Sequence, residues 1–145
     1  MKALIQRVSQ ASVEVDGAMV AKIDQGLLIL LGITHTDDSA EVDRLVRKIP
    51  ALRIFEDEGG NMNRSVMDIG GSVIVVSQFT LYADTKKGNR PGFSAAARPE
   101  LAQPLYEELV KKLRCVMGTK RVGTGIFGAH MKVRLLNDGP VTIEL

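Results

Sequence analysis

“VEVDGAMVAKI”, residues 13–23, places two strand-like arms around Asp16-Gly17. An Asp-Gly pair is the strongest short hairpin signal in the chain, because the tight turn between twisted strands needs positive φ at both central positions. A hairpin makes its arms antiparallel, and the rest of the sequence is read outward from it. Upstream, residues 2–8 and 11–15 have strand character. Downstream, “GLLILLGIT”, 26–34, is an unbroken apolar run suited to a strand buried on both faces.

Helical spacing begins at “DDSAEVDRLVRKIPAL”, 37–52, where Asp and Ser offer caps and Val42, Leu45, Val46 and Ile49 recur until Pro50. “LRIFED”, 52–57, reads as a short strand, “EGGNMN” as a turn, and “GGSVIVVSQFTLYA”, 70–83, as a second buried strand. In “RPELAQPLYEELVKKLRCV”, 98–116, Leu101, Leu105, Leu109 and Leu113 fall at four-residue steps, and Pro104 is tolerable only in the first turn. From about residue 120 the pattern returns to strands. In “LLNDGPVTIEL”, 135–145, Asp138, Gly139 and Pro140 interrupt strand residues; on local chemistry alone this is a turn between the last two strands. Strands outnumber helices and hairpins join them. The expected fold is therefore α+β: a single domain over residues 1–145, a largely antiparallel, barrel-like sheet, and helices packed on one face.

Composition limits the function. The 19 basic and 17 acidic residues leave a net charge of +2, too small an excess for gripping long stretches of duplex through phosphates. With no Trp and few aromatics, there is little material for a single-strand stacking platform. No apolar run reaches membrane-spanning length, and the first fifteen residues alternate where a signal peptide would be apolar, so a cytoplasmic protein without a membrane partner is expected. The single Cys115 forms no internal disulfide and, within a helix, is expected to pack.

Conventional catalysts are missing. His35 and His130 are the only histidines, neither lies in a metal-binding or nucleophile-activating motif, and both read as surface or loop residues. No phosphate-binding loop or dinucleotide fingerprint occurs, and no metal or cofactor is expected. What remains is “VSQFTLYAD”, where a buried strand runs into Ser77, Gln78, Phe79 and Thr80. Thr80 could be a nucleophile or a positioning group, and without a neighbouring base positioning is favoured. “TKKGNRPGF”, 85–93, is a basic loop with two readings, contact with RNA phosphates or plain solvation.

“SQFTL” at 77–81 together with “NDGPVT” at 137–142 resembles the D-aminoacyl-tRNA deacylases, hydrolases that remove D-amino acids from tRNA. The resemblance extends to “MKALIQRVSQASVEVDG”, “KKGNRPGF” and “GTGIFGAHM”, and so covers virtually the whole chain. It implies hydrolysis of the aminoacyl ester as a chiral proofreading step in translation, and a homodimer with shared active sites. In one subunit Ser77, Gln78, Phe79 and Thr80 would act mainly through backbone and positioning. Into that pocket the other subunit would insert a cis Gly139-Pro140 anchored by Arg7, which excludes L-aminoacyl groups. Phe127, Gly128 and Met131 would hold the 3′-terminal adenosine, whose 2′-OH would assist catalysis. Main-chain N–H groups from Gln78 to Thr80 would meet the oxyanion, and glycyl-tRNA would also be cleaved. Two rival classes stay open, a non-catalytic RNA-binding module and a generic esterase using Thr80.

Overall fold

The computed structural model describes all residues from Met1 to Leu145. The hairpin forms where expected, with φ of 49° at Asp16 and 81° at Gly17, and joins β1 (Lys2–Val15) to β2 (Ala18–Ile23). Next in the chain come β3 (Gly26–Gly32), α1 (Ser39–Ala51), β4 (Phe55–Glu56) and β5 (Met62–Arg64). β6 (Ser72–Ser77), α2 (Pro99–Met117), β7 (Val122–Thr124) and β8 (Met131–Glu144) complete it. β1 is the hub. On one edge Ala11 pairs with Ile23 and Val8 with Gly26, so β2 and β3 run end to end along it. The other edge carries β8, with Ala11 opposite Leu135 and Val8 opposite Asn137.

All three of these pairings are antiparallel, but β3–β6 and β6–β7 are parallel. The sheet is therefore mixed: antiparallel around β1, as expected for most of its pairing, and parallel from β3 to β7. A parallel pair needs a long crossover, and the two helical segments supply it: α1 lies between β3 and β6, and α2 between β6 and β7. A hairpin signal reports only on sequence neighbours and says nothing about strands reunited across a helix. The sheet curls into a nearly closed, barrel-like form. Its far strands approach closely enough that a Cβ on Gly123 of β7 would lie 3.2 Å from that of Ala21 on β2.

The larger core lies between the sheet and both helices, where Ile5, Leu27 and Ile29 meet Leu45 and Ile49 of α1 and Leu109 and Leu113 of α2. A smaller cluster on the opposite face joins Val8, Val13, Leu28 and Ile74. β3 thus buries both faces, which is why its sequence is continuously apolar. Each such aliphatic side chain contributes about 1.5–3 kcal/mol relative to exposure. On α2 the buried stripe takes Leu105, Leu109 and Leu113 but leaves Leu101 exposed, since a four-residue step overshoots the helical turn. Cys115, two residues from Leu113 and hence on the far side of the helix, is exposed and does not pack.

The second buried strand ends earlier than its sequence pattern. β6 pairs with β3 as far as Ser77 opposite Leu31, the Gln78 N–H makes a last bond to the Leu31 carbonyl at 2.7 Å, and the chain then turns into a 3₁₀ helix, Phe79–Tyr82. The partner strand finishes at Gly32, so further pairing has no template.

Candidate active site

A cavity of about 560 Å³ opens where the parallel strands β3 and β6 end, between the 3₁₀ helix, the start of α2 and the segment entering β8. The carboxyl ends of parallel strands are a usual place for ligands, because side chains and loop amides converge where pairing stops. Ser77, Gln78 and Phe79 line one side, and Phe127, Gly128 and Met131 another. Two stretches about fifty residues apart are thereby brought together. Thr80 stands just outside the wall, its hydroxyl accepting a hydrogen bond from the Gln78 side-chain amide.

The 3₁₀ helix matters for its first amides. A helix start leaves N–H groups without an internal acceptor, and those of Phe79 and Thr80 find no other partner in the chain. The Gln78 amide, expected to join them, is already committed to Leu31. The amides left free at this turn are therefore those of Phe79 and Thr80.

Surrounding contacts fix the walls. The Tyr106 hydroxyl donates to the Val75 carbonyl at 2.9 Å, and its ring lies against Phe127 with centroids 5.8 Å apart. Burial pushes this phenol up to about 12, so it remains a neutral donor at ordinary pH. Thr34 Oγ1 donates to the Ala95 carbonyl at 2.6 Å and His35 Nε2 to that of Ser94 at 2.9 Å, holding the segment that carries the lining residues Ala96 and Ala97. His130, exposed at the rim, lines the cavity as well. Phe93, packed edge-to-face on Phe79 with centroids 5.0 Å apart, and Arg98 complete the mouth. The sequence alone does not mark Phe93, Arg98 or Tyr106 individually as a site residue. A lone aromatic following the basic loop was the available signal for Phe93, whereas Tyr106 looked like any residue of an apolar helix face.

Gly139, Pro140 and Arg7 do not line this cavity. β8 is one continuous strand, so the expected turn between two final strands is absent. In its place is a wide bulge: Gln6 pairs with Thr142 and Val8 with Asn137, leaving Arg7 alone opposite residues 138–141. Proline is tolerated there because a bulge has no ladder bond to lose. The Gly139-Pro140 peptide bond is cis, and both residues are exposed.

Arg7, only 5% exposed, braces the bulge from beneath. Its Nε donates to the Asp138 carbonyl at 3.0 Å and its Nη1 to the Ile54 carbonyl at 2.7 Å, while the Asp138 carboxylate lies 3.6 Å from Nε. Asn137 Oδ1 accepts from the Val141 amide at 3.3 Å and closes the loop locally. Gly139 has φ of +130°, and a Cβ there would stand 2.8 Å from Val141 Cγ2 and 3.1 Å from Arg7 Nη2. No side chain fits.

The D-Tyr-tRNA(Tyr) deacylase family matches residues 4–145. A D-aminoacyl-tRNA deacylase of Clostridioides difficile (strain 630) is 61% identical over 145 residues, covering 100% of this chain and 96% of the relative. A solved “c-Myc DNA Unwinding Element Binding Protein” superposes with a TM-score of 0.94 at 45% identity, over 100% of this chain and 97% of that one. A probable eukaryotic D-amino acid tRNA deacylase has the same fold, with a TM-score of 0.85 at 16% identity over 99% and 97% of the two chains. The chain belongs to the D-Tyr-tRNA(Tyr) deacylase family.

Proposed function

We propose that this chain hydrolyses the ester of D-aminoacyl-tRNA to free D-amino acid and tRNA, a cytoplasmic proofreading step that spares L-aminoacyl-tRNA. The observation that carries the reading is the pair of unpartnered amides on Phe79, in the wall of an apolar cavity, and on Thr80, the next residue beyond that wall. Water attacking the acyl carbonyl creates an oxyanion, and these donors stand ready to receive it. One such donor is worth roughly 10²–10³ in rate. The Thr80 hydroxyl has the Gln78 amide beside it, which is no base, and this argues against a Thr nucleophile. Phe127 and Met131 offer apolar, polarizable surface to the terminal adenine, and Gly128 permits close approach of backbone. The adenosine 2′-OH, present only in RNA, lies next to the ester and assists the attack.

Chirality is read by backbone. L and D groups differ by exchanging hydrogen and side chain at one carbon, so a rigid wall near the Cα rejects every L residue without reading its chemistry. Gly139 and Pro140 form that wall, their carbonyls meeting the α-ammonium. They lie exposed and away from their own chain's cavity, so they serve the partner's cavity in a homodimer with two shared sites. Glycine, with nothing to strike the wall, is accepted, and mischarged glycyl-tRNA(Ala) is a substrate.

The 45% identity to a DNA-unwinding-element binding protein favours one other reading, a nucleic-acid-binding module without catalysis. Incubating the purified chain with labelled D-aminoacyl-tRNA separates the two. Multiple turnovers of released amino acid support the hydrolase, and stable binding with the ester intact supports the module.

A further inference from the structure

We propose that the hairpin 84–92 is a phosphate-gripping arm that holds the backbone of the single-stranded RNA end beside the nucleotide in the cavity. The proposal rests on the deacylase reading and adds to it where the RNA leaves the site. The arm is closed by two backbone bonds, Asp84 N–H to the Gly92 carbonyl at 2.7 Å and Gly92 N–H to the Asp84 carbonyl at 2.8 Å. Its base is part of the site, because Phe93 directly follows the stem and packs on Phe79, and both rings line the cavity.

Charge marks what the arm would hold. Lys86, Lys87 and Arg90 at its tip and Arg98 across the mouth are all exposed, and residues 85–98 include no acid. None of the four cations is in an ion pair. Asp84, exposed at the base of the arm, is the one acid in it; its carboxylate accepts from the Lys86 amide at 3.0 Å and so caps its own loop. Lys112 is matched by Asp43 and Glu108, and Lys132 and Arg134 by Glu14, whereas Lys22, Arg47, Lys48, Lys111 and Lys120 are also exposed without an ion pair; what sets the four apart is their clustering beside the cavity. Three residues on each side of the tip reach about 10 Å at most. That span suits a few phosphates next to the terminal nucleotide and not an entire acceptor arm, in keeping with a net charge of only +2.

The test compares wild type with Lys86→Ala/Lys87→Ala/Arg90→Ala on D-alanyl-tRNA and on D-alanyl-adenosine, which has no phosphate, across about 50–200 mM salt. On tRNA, kcat/KM of the variant should fall about tenfold or more at low salt. The log–log salt slope should become shallower by about 2, since each single-strand phosphate contact contributes roughly 0.7. Hydrolysis of the adenosine ester should not change, and Lys86→Arg/Lys87→Arg should retain wild-type behaviour on tRNA. Equal losses on both substrates would mean that the arm merely supports the site, and an unchanged tRNA slope would mean that it is only solvated; either result overturns the proposal. If wild type cleaves neither ester, it is the deacylase reading that fails. The same slopes, read from binding of a CCA-ended RNA, then still decide the arm.

Discussion

At the scale of single residues, the proposed catalysis rests on two amides, and proline can remove one of them. Phe79 is the first residue of a 3₁₀ helix, where proline fits because no internal bond is lost. Phe79→Pro should therefore reduce kcat about 10²–10³ below Phe79→Ala, which removes the ring but keeps the donor. Equal rates for the two variants would assign the effect to the ring. Thr80→Ala, which keeps its amide, should lose less than about tenfold. A loss beyond about 10⁴ with the fold intact would point to side-chain acid–base chemistry. The sequence made residues 77–80 recognisable as a polar strand end, but it could not show which amides were free. That depends on where β3 stops, and hence on a partner strand some fifty residues upstream.

At the scale of elements, the β8 bulge and the contact between helices each give a prediction. Gly139→Ala puts a Cβ where Val141 and Arg7 already lie and imposes a backbone angle that L residues avoid. Thermal unfolding should show a loss of about 1–3 kcal/mol, and L-alanyl-tRNA should begin to be cleaved as the wall moves. Retained stability together with retained selectivity would count against a rigid bulge. Between the helices, Lys112 bonds Asp43 of α1 at 2.6 Å and Glu108 at 2.7 Å. The hydrogen bond from Lys112 holds Asp43 below its ordinary 3.8; bonds from Lys112 and then Ser39 hold Glu108 below 4.5; Asp43 and Glu108 raise Lys112 above 10.5. The carboxylate contribution is fully present above the ordinary values and is lost as pH falls through the lower folded ones. The lysine contribution is fully present below 10.5 and is lost as pH rises through its folded value. Wild type should therefore melt slightly above Lys112→Ala by a constant margin between about pH 5 and 10, narrowing at both extremes. A margin independent of pH would show that the lysine acts only through packing. The hairpin, both helices and the buried strands were legible because each is written in a local period. The parallel pairings were not, because they are set by crossovers, and the bulge was mistaken for a turn because Asp-Gly-Pro chemistry is shared by both.

At the scale of the whole molecule, the cavity and the Gly139-Pro140 bulge are separate features of one chain, and the proposed function needs them joined across a dimer. Mixing Gly139→Ala chains with Phe79→Pro chains should create heterodimers with one intact site, and chiral deacylation should partly return. Failure in subunits shown to exchange would put bulge and cavity of the same chain together. The link between these regions was legible only through family resemblance, since nothing in the spacing of residues 77–80 and 139–140 tells which chain supplies each. The central claim, rejection of L side chains by a backbone wall, is tested most directly by one deacylation series. D-alanyl, glycyl and L-alanyl esters of a single tRNA body are compared at equal enzyme concentration. Cleavage of the D-alanyl and glycyl esters with survival of the L-alanyl ester is the predicted result. If the glycyl ester survives as completely as the L-alanyl ester, the pocket recognises a D side chain positively and the wall of Gly139 and Pro140 is not the basis of selection.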